Sequence, residues 1–272
     1  MKRIHQVALI AGVAILTVTP AAATHRWNGY HWAGNGTNLT IKVNTTITSQ
    51  WSASVGKAIS DWNKSTELTL NGPDAVSVYR KRCNPIAGQI LVCDAAYGQL
   101  GWLGIATIWL DTKGHIVQAT TKLNDSYHNY APYNRPEWRA LVACQEIGHD
   151  FGLDHQDENF SNPNLGTCMD YTSKPLGPPA NTAPNSHDYG ELNIIYNHND
   201  GYTSAKTSTS LGQAGRPVPQ GLSAEDIGDS PAEWGRAIRR DQRGRPDVFV
   251  RDFAGGERAV THVLWTLEAE EK

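Results

Sequence analysis

The sequence has no surplus of positive charge, few cysteines and, after its first 23 residues, no long apolar run. Each lack removes a class of function. The 272 residues carry a formal net charge of −3. A nucleic-acid binder needs a basic patch to neutralise phosphates, so that class is set aside. Without a second apolar run of about 20 residues, no membrane span is expected in the processed chain. The four cysteines, Cys83, Cys93, Cys144 and Cys168, form no C-x-x-C pair, which argues against a cysteine-based zinc site. There is no G-x-S-x-G elbow and no phosphate-cradling glycine loop. Nor is this a disordered composition, with 39% hydrophobic and 19% charged residues, nine Trp and ten Tyr.

What is present begins with a secretory signature. Lys2 and Arg3 precede the apolar run Val7 to Val18, and Ala21-Ala22-Ala23 offers small residues for cleavage. Residues 1–23 are therefore expected to be a signal peptide, and the mature chain to be secreted, without a membrane span, and monomeric. Loss of two basic and no acidic residues moves the formal charge from −3 to −5. In an exported chain an even number of cysteines favours disulfides. Four cysteines allow three pairings, of which Cys83–Cys93 and Cys144–Cys168 are preferred. The first closes a short loop, and the second ties a candidate metal helix to a later segment. Asn35, Asn38, Asn44, Asn63, Asn124 and Asn159 begin N-x-Ser/Thr triplets, which matter only where the host glycosylates them.

The pattern predicts an α+β domain. Leu39, Ile41 and Val43 alternate as in a strand, and Trp51, Val55, Ala58, Ile59 and Trp62 recur at helical spacing. Short strands are expected at Leu68–Leu70 and Val76–Tyr79. A strand pair follows, Gly101–Leu110 and Ile116–Leu123, around the turn Asp111–Gly114. A helix is expected from Asn134, as cap, through Pro136 and Glu137 to a stop at Gly152. The last helix covers Asp188 to His198. Residues 24–200 then form one domain, 201–232 a linker rich in Ser, Thr, Gly and Pro, and 233–272 a small C-terminal β segment holding Val248–Val250 and Ala259–Trp265.

The chemistry lies in Gln145-Glu146-Ile147-Gly148-His149-Asp150-Phe151-Gly152-Leu153-Asp154-His155. On a helix, positions 145 and 149 share a face, and Glu146 falls close to His149. A glycine then turns the chain so that His155 can return to the same point. This segment resembles the metzincin zinc-protease motif H-E-x-x-H-x-x-G-x-x-H, matching at Glu146, His149, Gly152 and His155. Cys168-Met169-Asp170-Tyr171 resembles the Met-turn of that family, and the order of elements is similar to a matrixin-like catalytic domain. The resemblance spans roughly residues 25–200. It implies a zincin-like fold, with a twisted mixed sheet, an active-site helix, a Met-turn and a closing helix. It implies one catalytic zinc ion on His149 and His155, Glu146 as the base that polarises the attacking water, Met169 as support, and Tyr171 as a transition-state donor. Calcium is compatible with the resemblance, though no motif supports it.

Gln145 stands where the family has its first histidine. A neutral amide oxygen is a poorer zinc ligand than imidazole. Three arrangements are open. Gln145 ligates weakly; or Asp150, Asp154, Asp157 or another histidine completes the shell; or Glu146 itself ligates and the base is lost. The implied function is a secreted zinc-dependent endopeptidase acting on extracellular protein or peptide. The other reading is a pseudo-protease that keeps the fold and binds protein or surface polymer. His187, Asp188 and His198 invite a second metal site, but a surface helix explains them better. Cys83-Asn84-Pro85 is similar to the pro-segment cysteine of some matrixins, yet it sits inside the domain beside Cys93, so no latency propeptide is read from it.

Overall fold

The computed structural model describes residues 24–36, 38–206 and 227–268. The expected signal peptide and residues 207–226 of the expected linker lie outside the described residues. The sheet is mixed and nine-stranded. In chain order come β1 (His31–Trp32), β2 (Leu39–Thr46), α1 (Ser49–Trp62), β3 (Leu68–Ala75), β4 (Gln89–Ala95), β5 (Trp102–Leu110), β6 (His115–Asn124), α2 (Asp125–His128) and α3 (Pro136–His149). Then follow α4 (Ser186–Tyr196), α5 (Pro231–Trp234), β7 (Arg236–Arg240), β8 (Pro246–Asp252) and β9 (Arg258–Trp265). The strand order is β3-β2-β4-β6-β5-β9-β8-β7, with β1 paired to the start of β6. β2, β3, β4 and β6 run parallel, and β5 is antiparallel to both β6 and β9.

α1 forms where the sequence places it, because Trp51, Val55, Ile59 and Trp62 put one apolar stripe against the core. It packs on α3, and the two helices share a core with Ile41, Val43, Ile90 and Val92 of the sheet. A second core lies around Trp102, Ile105 and Trp109 of β5, with Trp234, Phe249 and Val263.

Three local expectations change. Val76–Tyr79 is no strand: β3 runs on to Ala75 through Gly72-Pro73, with a register shift against β2. β4 lies inside what reads as a cysteine loop, and its seven residues are all buried between parallel neighbours. Such a strand is apolar on both faces, so it shows no alternation. Finally, α3 is capped by the extended backbone of Arg135, not by Asn134, with Pro136 at its first position. Proline suits that first position because its missing N–H would be unsatisfied there in any case, and its presence favours extended backbone at Arg135.

Both disulfides are present, Cys83–Cys93 and Cys144–Cys168. The strands of the C-terminal segment do not stand apart. β9 lies along the whole of β5, from Trp102↔Trp265 to Leu110↔Arg258, and β8 and β7 extend the sheet beyond it. Among the described residues no helix is long and apolar enough to cross a membrane.

Candidate metal centre

α3 carries Gln145, Glu146 and His149 into the interior, where all three are fully buried. The turn after it stays tight: Gly152 N–H donates to His149 O (3.0 Å), and Gly152 sits at φ +96°, a conformation that disfavours a side chain. That reversal returns His155 to His149, with ring centroids 4.9 Å apart. Leu153 O holds His149 Nδ1 at 2.8 Å and so aims Nε2 into the site. Met169 lies beneath the helix. A β-carbon at Gly148 would stand 2.7 Å from Met169 Sδ, so the glycine admits the close approach. The Cys144–Cys168 bridge joins α3 to the residue before Met169. Tyr171 packs at a tilt on His155, with ring centroids 4.1 Å apart, and stacks on Phe160 at 4.6 Å.

Gln145 turns away from a simple ligand pose. Its Nε2 donates to Cys168 O (2.8 Å), while Oε1 is buried without a partner among the described residues. Asp150 is occupied by Thr121, whose hydroxyl donates to Oδ2 (2.7 Å). Asp154 accepts two bonds from Arg239 Nη1 (2.6 and 2.7 Å). Asp157 caps the loop at Asn159 and receives Asn162.

The third nitrogen comes from another part of the chain. His262 of β9 stacks on His149 at 3.9 Å and meets His155 edge-on at 4.4 Å. One ligand nitrogen from each of His149, His155 and His262 lies within 4.8 Å of the others. His262 Nε2 is 3.0 Å from Arg239 Nη2, and its Nδ1 is buried without a partner among the described residues. Arg239 also bonds Asp247 through Nε and Nη2 and lies 3.1 Å from Glu158. Three carboxylates, Asp154, Asp247 and Glu158, thus face one guanidinium. Burial raises Asp247 and takes Glu158 up to about 7, so part of this negative charge is taken up by protons.

Burial dominates the ionisation of the site. It lowers His149 to about 4 and holds His155 and His262 well below the usual histidine range, so all three are neutral at pH 7; His149 and His155 are available as ligands, whereas the lone pair of His262 Nε2 accepts from Arg239. Burial, and then the neighbouring Asp150, raises Glu146 well above the usual carboxylate range. Burial also raises Tyr171. Glu146 Oε1 and Oε2, His149 Nε2, His155 Nε2 and Tyr171 Oη all lack a partner among the described residues. A divalent cation and its water fit these orphaned atoms, since nearly every buried polar atom has a partner in a complete site.

Sequence reasoning left open that another histidine completes the shell but did not point to His262 or Arg239. The one available signal was a histidine inside the apolar run Ala259–Trp265.

No protein-family model matches the chain, and no curated protein matches it. A solved structure titled "Structure of myroilysin" is similar at 13% identity and TM-score 0.34, over 64% of this chain and 98% of that one. A second, "Crystal structure of myroilysin", is similar at 12% identity and TM-score 0.31, over 61% and 85%. Likeness this slight carries nothing about activity; the arrangement of side chains must carry it.

Proposed function

We propose that the chain is a secreted zinc-dependent endopeptidase of metzincin type, folded here in a closed form. The observation that supports this most is that His149 and His155, whose nitrogens lie within 4.8 Å of each other, are buried beside partnerless atoms of Glu146, one helical turn from His149, and of Tyr171, which packs on His155. Water alone is a poor occupant of a place lined by two bare imidazole nitrogens and a buried acid. A zinc ion held there supplies a Lewis acid and lowers the pKa of an adjacent water. His149 and His155 would hold it, His262 would add a third nitrogen in the closed form once Arg239 releases its Nε2, and Gln145 Oε1 is available as a weaker donor. Glu146 accepts the proton of the attacking water, and its burial keeps the carboxylate basic. Tyr171 donates to the oxyanion that develops on the peptide carbonyl. Met169 forms the floor.

β9 both supplies His262 and blocks access. An extended peptide binds most simply by adding a strand to a free sheet edge. The outer edge of β5 is already paired, with His262 opposite Ala106. Cleavage therefore requires β9 to leave β5. Its departure withdraws His262 and opens the ligand position that catalytic zinc sites keep free.

The second reading, a pseudo-protease that binds protein or surface polymer, is favoured by one observation: His149, Glu146 and His262 are each 0% exposed. Casein digestion with and without a chelator separates the two. The peptidase reading expects slow, chelator-sensitive cleavage by the mature chain and faster cleavage by His262→Ala. Absence of chelator-sensitive cleavage from both chains overturns it.

A further inference from the structure

A second group of histidines lies away from the buried centre. His31 comes from β1, His115 opens β6, and His198 and Asp200 follow α4. His31 Nε2 and His198 Nε2 are 3.0 Å apart. Asp200 Oδ1 lies 3.1 Å from His198 Nε2, 3.6 Å from His31 Nε2 and 3.4 Å from His115 Nε2. Zinc–ligand bonds of 2.0–2.2 Å place tetrahedral ligands roughly 3.3–3.6 Å from one another. The three separations among His31, His198 and Asp200, 3.0, 3.1 and 3.6 Å, lie around that value.

The other atoms of these residues are already committed, in the way that orients metal ligands. His31 Nδ1 is 2.8 Å from Gly29 O, a pure acceptor, so Nδ1 carries the proton and Nε2 presents a lone pair. Tyr202 Oη donates to Asp111 Oδ2 (2.9 Å) and accepts from His115 Nδ1 (2.6 Å), which leaves a lone pair on His115 Nε2 too. Asp200 Oδ2 accepts from Gly34 N–H (2.8 Å), leaving Oδ1 free. Two imidazole lone pairs therefore face one carboxylate oxygen. Hydrogen bonding leaves that arrangement repulsive, because His198 can bring at most one proton into it. A cation held by His31, His198 and Asp200 relieves it.

We propose that His31, His198 and Asp200 bind a second zinc ion, with His115 outside the shell against Asp200. Two imidazoles and one carboxylate are a zinc donor set. The ion joins β1 to the segment after α4, and Asp200 links both to His115 of β6, so its role is structural. The site shares no residue with the His149, His155 and His262 centre, so it stands or falls separately.

Zinc content of the purified mature chain is the test, read beside the variants His198→Ala, Asp200→Asn and the pair His149→Gln with His155→Gln. The side chain of His198 is 42% exposed, so its loss leaves the fold intact, as circular dichroism checks. A structural tetrahedral site predicts loss of about one zinc per chain from His198→Ala and from Asp200→Asn, and retention of about one in the His149/His155 pair. Cobalt(II) added to that pair gives the intense visible bands of a tetrahedral ion, and Asp200→Asn abolishes them. Unchanged zinc content in both His198→Ala and Asp200→Asn overturns the proposal, as does a His149/His155 pair devoid of zinc and of tetrahedral cobalt bands.

Discussion

The two histidine clusters differ in how much of their chemistry is finished. In the cluster near the surface His31 Nδ1, His115 Nδ1 and Asp200 Oδ2 each have a partner, which leaves Asp200 Oδ1 to the common centre. In the buried cluster His149 Nε2 and His155 Nε2 have no partner, and an acid and a phenol nearby also remain partnerless among the described residues. The contrast says where to look for activity.

The largest break in that contrast comes from Glu146→Gln. It removes the base without touching a nitrogen ligand, so chelator-sensitive cleavage should fall by about 10²–10⁴-fold while zinc content holds. Unchanged cleavage would show that Glu146 is not the base.

Opening the Cys144–Cys168 bridge sharpens the same comparison. It closes 24 residues of chain, and such a loop is worth about 3 kcal/mol in the unfolded-state model. Cys144→Ser with Cys168→Ser should lower stability by that order in denaturant titration. It should also weaken zinc at the buried cluster, whose helix it anchors, and leave the surface cluster loaded. Equal loss at both clusters would break the distinction.

A third, smaller effect concerns pH and a histidine in neither cluster. His128 is fully buried against Trp51, and burial depresses it to about 3, partly offset by the bond to Tyr133 O. Its unfolded value is near 6.5, so the unfolded chain takes up the proton first as pH falls. The stability it contributes is full above about 6.5 and is lost towards 3, at up to about 1.4 kcal/mol per pH unit. His128→Gln should flatten the acid limb of the stability curve and leave zinc content unchanged. An identical acid limb in the variant would contradict this. The smallest effect belongs to Lys57→Ala. The half-exposed pair with Asp61 should cost no more than about 0.5 kcal/mol and move neither metal, measurable by thermal unfolding beside zinc analysis.

Much of the fold is legible where periodicity is clean. The α1 stripe reads directly because it buries one face, and the β5–β6 pair reads from its run of apolar and β-branched residues around the turn Asp111–Gly114, although β5 is buried on both faces. β4 does not, because a strand buried on both sides has no alternation to read. The helical part of the site was legible for a similar reason: Glu146, His149, Gly152 and His155 are set by one helix and one turn. His262 was not, because strand pairing brings it to α3 from far along the chain. The surface cluster was hidden more completely. His31, His198 and Asp200, with His115 beside them, come from three separated segments, and only the spacing of His198 and Asp200 is local.

A zinc-edge anomalous difference map of the crystallised full mature chain tests the two-centre arrangement most directly. One peak is expected among His149, His155 and His262, and a second among His31, His198 and Asp200. Absence of density at the first position, in crystals grown with zinc, would contradict the assignment of the buried cluster as a metal centre and the peptidase reading with it.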